Sequence, residues 1–139
     1  MTRGDGVDEG KLVLLVEDEA NIREAMAFLL AREGWRVETE DNGGNAVKRI
    51  KALSPDLVVL DYMLPERSGM EILNDLRALP EFSALPVLML TARGQARDRE
   101  QAERAGVSRF MTKPFSNAEV LTAVRDLVYV AGAARRASG

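Results

Sequence analysis

Glu17, Asp18, Asp61, Thr91 and Lys113 each end or follow a short run rich in aliphatic residues, and together they offer three carboxylates, a hydroxyl and an ammonium. Carboxylates gathered in one place repel one another, and their pKa values rise unless something positive sits among them. A divalent cation answers that need. The chain has no histidine and no cysteine, so its donors are oxygens, and oxygen donors that leave room for water and phosphate suit Mg²⁺ rather than zinc. Lys113 adds a point positive charge on a long stem, suited to a phosphoryl oxygen. Thr91 can donate from its hydroxyl and Ala92 from its backbone N–H. Groups of this kind neutralise and hold a transferring phosphoryl group, which is most of what a protein contributes to in-line transfer. Singly, the residues have plainer readings: Asp18 as the cap of a first helix, Thr91 as a strand end, Lys113 as a solvated lysine. Asp61 is harder to set aside, because a carboxylate directly after Leu57, Val58, Val59 and Leu60 faces burial and needs a partner.

The elements that would bring these residues together are written in the hydrophobic pattern. From Gly10 to Ala131, β-branched or aliphatic runs alternate with longer segments of helical period, the pattern of a parallel sheet covered by helices on both faces. Five strand-then-helix units are predicted, with strands at Leu12–Val16, Arg36–Glu40, Leu57–Asp61, Val87–Thr91 and residues 109–111. The second strand alternates and carries charge, so it reads as an edge. Helical stripes fall on Ile22, Ala25, Met26, Leu29 and Leu30, on Val47, Ile50 and Leu53, and on Ile72, Leu73, Leu76 and Leu79. Asn117 is expected to cap a last helix whose stripe is Val120, Leu121, Val124, Leu127 and Val128. Gly34 and Gly106 stand where the first and fourth helices should stop. The fourth helix, residues 95–105, has only alanines as its apolar residues, so it should bury little. Ligands of an open parallel sheet bind beyond the carboxyl ends of its strands. If the first, third, fourth and fifth strands lie side by side, the five residues meet in one crevice.

At 139 residues, 46% hydrophobic and 29% charged, the chain has the balance of one soluble domain with a real core. No apolar run reaches the roughly 20 residues of a membrane span, and residues 1–10 lack a signal-peptide layout. A cytoplasmic location is expected. The formal charge of −3 gives no footprint for nucleic acid, and no direct contact with it is expected.

Four segments resemble a known family, the receiver domains of bacterial two-component response regulators, including the chemotaxis-type single-domain regulators. They are Val16, Glu17, Asp18 and Glu19; Asp61, Tyr62, Met63, Leu64 and Pro65 with Gly69; Leu90, Thr91, Ala92 and Arg93; and Phe110, Met111, Thr112, Lys113, Pro114 and Phe115. The resemblance implies an α/β doubly wound fold of five parallel strands in the flavodoxin-like order 2-1-3-4-5 with five helices. The domain would span residues 11–131, with a flexible segment at 1–10 and a flexible tail at 132–139. It makes Asp61 the phosphoacceptor, with Asp18 and Asp61 binding Mg²⁺ directly, Glu17 mainly through water, and the Met63 main-chain carbonyl as a further ligand. Thr91 would close on the phosphoryl group, Lys113 would pair with it, Phe110 would follow Thr91, and Pro114 would be a cis-proline. The implied partners are a histidine kinase or histidine phosphotransfer protein and a downstream effector protein, with the chain a monomer or weak dimer. Such a domain is a signalling switch and not an ordinary enzyme, although it would catalyse its own phosphorylation and dephosphorylation.

Two departures stand out. Where many DNA-binding relatives carry an acidic pair, this chain has Ser108 and Arg109, and its switch aromatic is a phenylalanine without a hydroxyl. The rival reading is an aspartate-nucleophile phosphohydrolase of haloacid dehalogenase type. Those enzymes need a second aspartate two positions after the first, and here that residue is Met63. A flavin carrier of the same fold would need a phosphate-cradling loop after the first strand, where Glu17, Asp18 and Glu19 would repel the phosphate.

Overall fold

In the computed structural model, described for residues 11–92 and 96–138 with side chains as far as Tyr129, three strands are buried at every position. They are β1 (Leu12–Val16), β3 (Leu57–Asp61) and β4 (Val87–Thr91). Apolar but for Asp61 and Thr91 at the ends of β3 and β4, they leave no wet face, which requires helices on both sides. β2 (Arg36–Glu40) and β5 (Arg109–Thr112) carry the exposed positions and close the two edges of a five-stranded parallel sheet ordered β2-β1-β3-β4-β5. The last strand runs one residue further than its apolar run, because Thr112 pairs with Thr91.

Strand alternation divides the core in two. Leu14, Val16, Val58, Leu60, Val87, Met89 and Phe110 face α2 (Ala46–Leu53), α3 (Gly69–Ala78) and α4 (Ala96–Arg104). Val13, Leu15, Leu57, Val59, Leu88 and Leu90 face α1 (Ala20–Arg32) and α5 (Asn117–Ser138). Helical backbone in α5 thus continues beyond residue 131, where the apolar stripe ends. Among the described residues no helix is long and apolar enough to cross a membrane.

Both glycine stops are as expected. Gly34 (φ 99°) and Gly106 (φ 96°) occupy the left-handed region, which costs glycine little. At each, the next residue bonds back to the helix, Trp35 N–H to the Leu30 carbonyl and Val107 N–H to the Ala102 carbonyl, as in a Schellman motif. The start of α5 differs from expectation. Ser116 is its cap: its hydroxyl accepts from Glu119 N–H at 3.0 Å while the Glu119 carboxylate accepts from Ser116 N–H at 2.7 Å. This reciprocal box satisfies two orphan donors, so Asn117 is simply the first helical residue. α4 is as weakly anchored as its composition implies, with Ala102 its only buried residue among those described.

Candidate functional site

The register puts the chemistry at one end of the sheet. Val16 pairs with Leu60, so Glu17 lies level with Asp61, and Asp61 pairs with Leu90, so Thr91 stands one step beyond it. Glu17 and Asp61 continue the alternation of Leu15 and Val59 and therefore share the α1 and α5 side of the sheet. Thr91 continues that of Val87 and Met89, on the α4 side, where Phe110 pairs with Met89. Thr91 and Phe110 accordingly share one face, two residues apart along adjacent strands.

Glu17, Asp61 and Thr91 are buried, at 0%, 6% and 2% exposure. Asp18 is exposed beside them, and carboxylate oxygens of Glu17, Asp18 and Asp61 lie within 4.8 Å of one another. Asp18 is not a helix cap. That position belongs to Glu19, whose side chain makes no capping bond, and Arg23 instead fastens the turn by donating to the Glu17 carbonyl at 2.9 Å and the Asp18 carbonyl at 3.3 Å. Lys113 reaches in from the end of β5, its Nζ 3.1 Å from Glu17 Oε1 and 3.5 Å from Asp61 Oδ2. Its backbone N–H donates to the Thr91 carbonyl at 2.7 Å, and the Lys113–Pro114 peptide is cis.

The electrostatics show how incomplete this neutralisation is. Burial, then a hydrogen bond and charge repulsion from Glu17, push the Asp61 carboxyl up from 3.8 to about 7 against the lowering effects of Lys113 and the Met63 N–H. Burial pulls the Lys113 ammonium down, but the adjoining Asp61 and Glu17 carboxylates more than offset this and its pKa is raised. One ammonium thus serves two buried carboxylates with a third close by. An oxygen-rich cluster short of positive charge is the donor set a divalent cation fits.

The loop after β3 is shaped to keep close to this crevice. Met63 N–H lies 3.4 Å from Asp61 Oδ1, while the Met63 side chain is 66% exposed. Gly69 opens α3 with its N–H on the Tyr62 carbonyl at 2.9 Å. A Cβ there would sit 2.5 Å from the Asp61 carbonyl oxygen, so only glycine lets the helix start so near the strand end. Two interactions of the site were not evident in sequence. Burial and the negative charge of the Asp98 carboxylate on α4 raise the pKa of the Tyr62 hydroxyl, and the Arg99 guanidinium stands 5.1 Å above the Phe110 ring. Neither pair is close in sequence, and neither matches a local motif. Arg93 lies outside the described residues.

The profile of the response regulator receiver domain matches residues 13–125. The chain belongs to this family. It is 40% identical over 139 residues to the probable transcriptional regulatory protein TcrX of Mycobacterium tuberculosis, covering all of this chain and 58% of that protein. It is also 40% identical over 117 residues to the phosphate regulon transcriptional regulatory protein PhoB of Escherichia coli, 84% of this chain and 51% of that one. The receiver chain therefore spans about half the length of these curated relatives. Among solved structures, the N-terminal receiver domain of RstA from Klebsiella pneumoniae superposes with a TM-score of 0.79 at 28% identity, covering 85% of this chain and 98% of that domain. The receiver is a signalling domain of two-component regulators. Nothing in these likenesses favours the haloacid dehalogenase alternative.

Proposed function

We propose that Asp61 is the phosphoacceptor of this receiver and that Asp18, Asp61 and the Met63 carbonyl hold Mg²⁺, with Glu17 acting mainly through water. The observation that carries this reading is the buried, under-neutralised pair of Asp61 and Glu17, served among the described residues by the single ammonium of Lys113. Bound Mg²⁺ would supply positive charge to the carboxylates and to the phosphoryl oxygens. An oxygen of Asp61 attacks phosphorus while the bond from phosphorus to a donor histidine breaks, and the imidazole leaves with the electron pair, neutral when its other nitrogen carries the proton. Lys113 then exchanges part of its contact with Asp61 for a phosphoryl oxygen. Thr91 donates its hydroxyl to another, and in moving toward Asp61 it vacates space on the face it shares with Phe110. The same groups would assist loss of the phosphoryl group to water.

The donor in this reading is a histidine kinase or histidine phosphotransfer protein. An apolar groove of Ile22, Ala25, Leu29, Pro114, Phe115 and Val120 opens beside Lys113, which supports docking of a protein there. The output is an effector protein on the face of α4, β5 and α5, in the cytoplasm. Arg109 on that face is engaged within the chain, 3.7 Å from Asp126, which favours an effector over a dimer made through Arg109. Incubation with a small acyl phosphate tests the core of the proposal: the mass should rise by one phosphoryl group only with Mg²⁺, and Asp61→Asn should stay unlabelled. Labelling of that variant at the unsubstituted rate would refute it.

A further inference from the structure

The turn between β2 and α2 contributes nothing to the acidic crevice, yet it is bonded toward both walls. On one side, Glu17 N–H donates to the Glu40 carbonyl at 3.0 Å, and the Glu40 carboxylate accepts from Asn42 N–H at 3.1 Å. On the other, Asn42 Nδ2 donates to Glu66 Oε2 at 3.0 Å and Gly43 N–H donates to the Pro65 carbonyl at 3.1 Å. Asn42 is itself held, since its Oδ1 accepts from Gly44 N–H at 2.6 Å. A continuous chain of hydrogen bonds thus runs from the end of β1, which bears Glu17 and Asp18, to the loop that bears Met63.

Steric contact reinforces it. A Cβ on Gly43 would lie 2.0 Å from the Arg67 carbonyl oxygen and 2.9 Å from that of Pro65, so the two backbones approach as closely as glycine permits. At the point of contact Glu66 has φ 68°, uncommon for a residue with a side chain, although it is exposed and gains nothing from burial. That conformation is closed by Arg67 N–H donating to the Pro65 carbonyl at 2.7 Å, a γ-turn about Glu66, and flanked by the Asn42 amide on the Glu66 carboxylate and by the Arg67–Asp75 ion pair.

We propose that Asn42, Gly43 and Glu66 form a positioning brace, which sets the separation between the Glu17–Asp18 turn and the Met63 loop and thereby the affinity of the crevice for a divalent cation. The inference rests on the reading of that crevice as a Mg²⁺ site. None of the three residues touches the cation or the reacting atoms; they act through the backbone of the residues that do. Partners behind metal ligands typically change metal affinity by about 10–100-fold, and a brace one step further back belongs at the low end.

Calorimetric titration of the full chain with Mg²⁺, together with acyl phosphate labelling at graded Mg²⁺, tests it. Gly43→Ala should weaken Mg²⁺ binding by about tenfold and raise the Mg²⁺ needed for half-maximal labelling, while the rate at saturating Mg²⁺ stays near that of the unsubstituted chain. Asn42→Asp keeps the acceptor for Gly44 but sets a like charge against Glu66, and should weaken binding severalfold. Adding Glu66→Gln reverses donor and acceptor across the same contact and should restore it. This pair decides the matter even if Gly43→Ala fails to fold. Unchanged Mg²⁺ affinity in Asn42→Asp, or a double variant no better than the single one, would overturn the brace alone. Absence of Mg²⁺ binding by the unsubstituted chain would overturn the reading of the crevice and the brace with it.

Discussion

Replacing Asp61 by asparagine should stabilise the metal-free receiver, and the gain should depend on pH in a way set by the crevice. The folded state holds the Asp61 carboxyl at about 7 against 3.8 for the free group. A carboxyl raised on folding binds more protons in the native state, so between these values the native state loses ground as pH rises. The penalty is absent below about pH 4 and complete above about pH 7. At about 1.4 kcal/mol per pH unit its ceiling is about 4 kcal/mol. Glu17 supplies part of the repulsion on Asp61, so about half of that ceiling, ~2 kcal/mol, is assigned to the Asp61 charge itself. Asparagine removes that charge and leaves Lys113 its 3.1 Å contact with Glu17. For a domain of this size ~2 kcal/mol is a rise of about 8 °C in Tm. Thermal unfolding in a chelator from about pH 4 to about pH 8 should show the two chains converging at the acid end and separating as pH rises. A Tm difference that stays flat with pH, or an asparagine variant less stable at the alkaline end, would refute the reasoning. Mg²⁺ at a hundred times its dissociation constant adds about 2.7 kcal/mol to a chain that binds it, and should narrow the gap by favouring the unsubstituted receiver.

Further outcomes follow from the same geometry. Met63 is exposed beside Asp61 and cannot orient water, so Met63→Asn should speed loss of the phosphoryl group severalfold, read as decay of the labelled mass; an unchanged half-life would count against that role. Gly69→Ala forces a Cβ to 2.5 Å from the Asp61 carbonyl oxygen and should cost roughly 1–3 kcal/mol in denaturant unfolding while slowing labelling; a neutral effect would show that α3 need not start so close. Lys113→Met leaves Glu17 and Asp61 facing each other without an ammonium, and should lower the Tm of the chelated chain more at alkaline than at acid pH, with little labelling. Hydrogen exchange with and without a phosphoryl mimic should change within residues 96–110, and a response confined to the neighbourhood of Asp61 would refute the proposed route to α4.

The sheet was legible because its central strands are almost wholly apolar and the turns after α1 and α4 carry glycine at positive φ. Asp61 announced itself for the same reason, as a carboxylate at the end of a buried run. What sequence could not convey was pairing between distant elements. Nothing in the local pattern says that Lys113 divides its charge between Glu17 and Asp61, that the charge of Asp98 reaches the Tyr62 hydroxyl, or that Gly43 lies against the Arg67 carbonyl. These contacts depend on how two loops or a loop and a helix dock, and the residues involved are not periodic. The cap of α5 is a different kind of miss. Ser116 and Glu119 form the spacing of a capping box, and the signal was present one residue ahead of the asparagine that drew attention.

The anchoring of α4 is unequal along its length, and this bears on how a change at Asp61 would leave the domain. At the carboxyl end, Arg77 of α3 donates to the Gly106 carbonyl and to the Phe82 carbonyl, both at 2.9 Å, and Val107 closes back on Ala102. At the amino end, the Asp98 carboxylate acts on the Tyr62 hydroxyl through its charge, and Arg99 rests on Phe110. Both of these partners lie beside the crevice: Tyr62 is the residue after Asp61, and Phe110 shares a face with Thr91. Movement of the helix would therefore pivot about its fixed carboxyl end and displace residues 96–99 most. Because Ala102 is the one buried residue of α4 among those described, such a tilt disturbs the Arg99–Phe110 contact and little apolar packing. A modest differential interaction at the acidic site is then enough to shift the population of helix positions, which is the thermodynamic condition for a small carboxylate modification to be felt by a partner on the far side of the sheet.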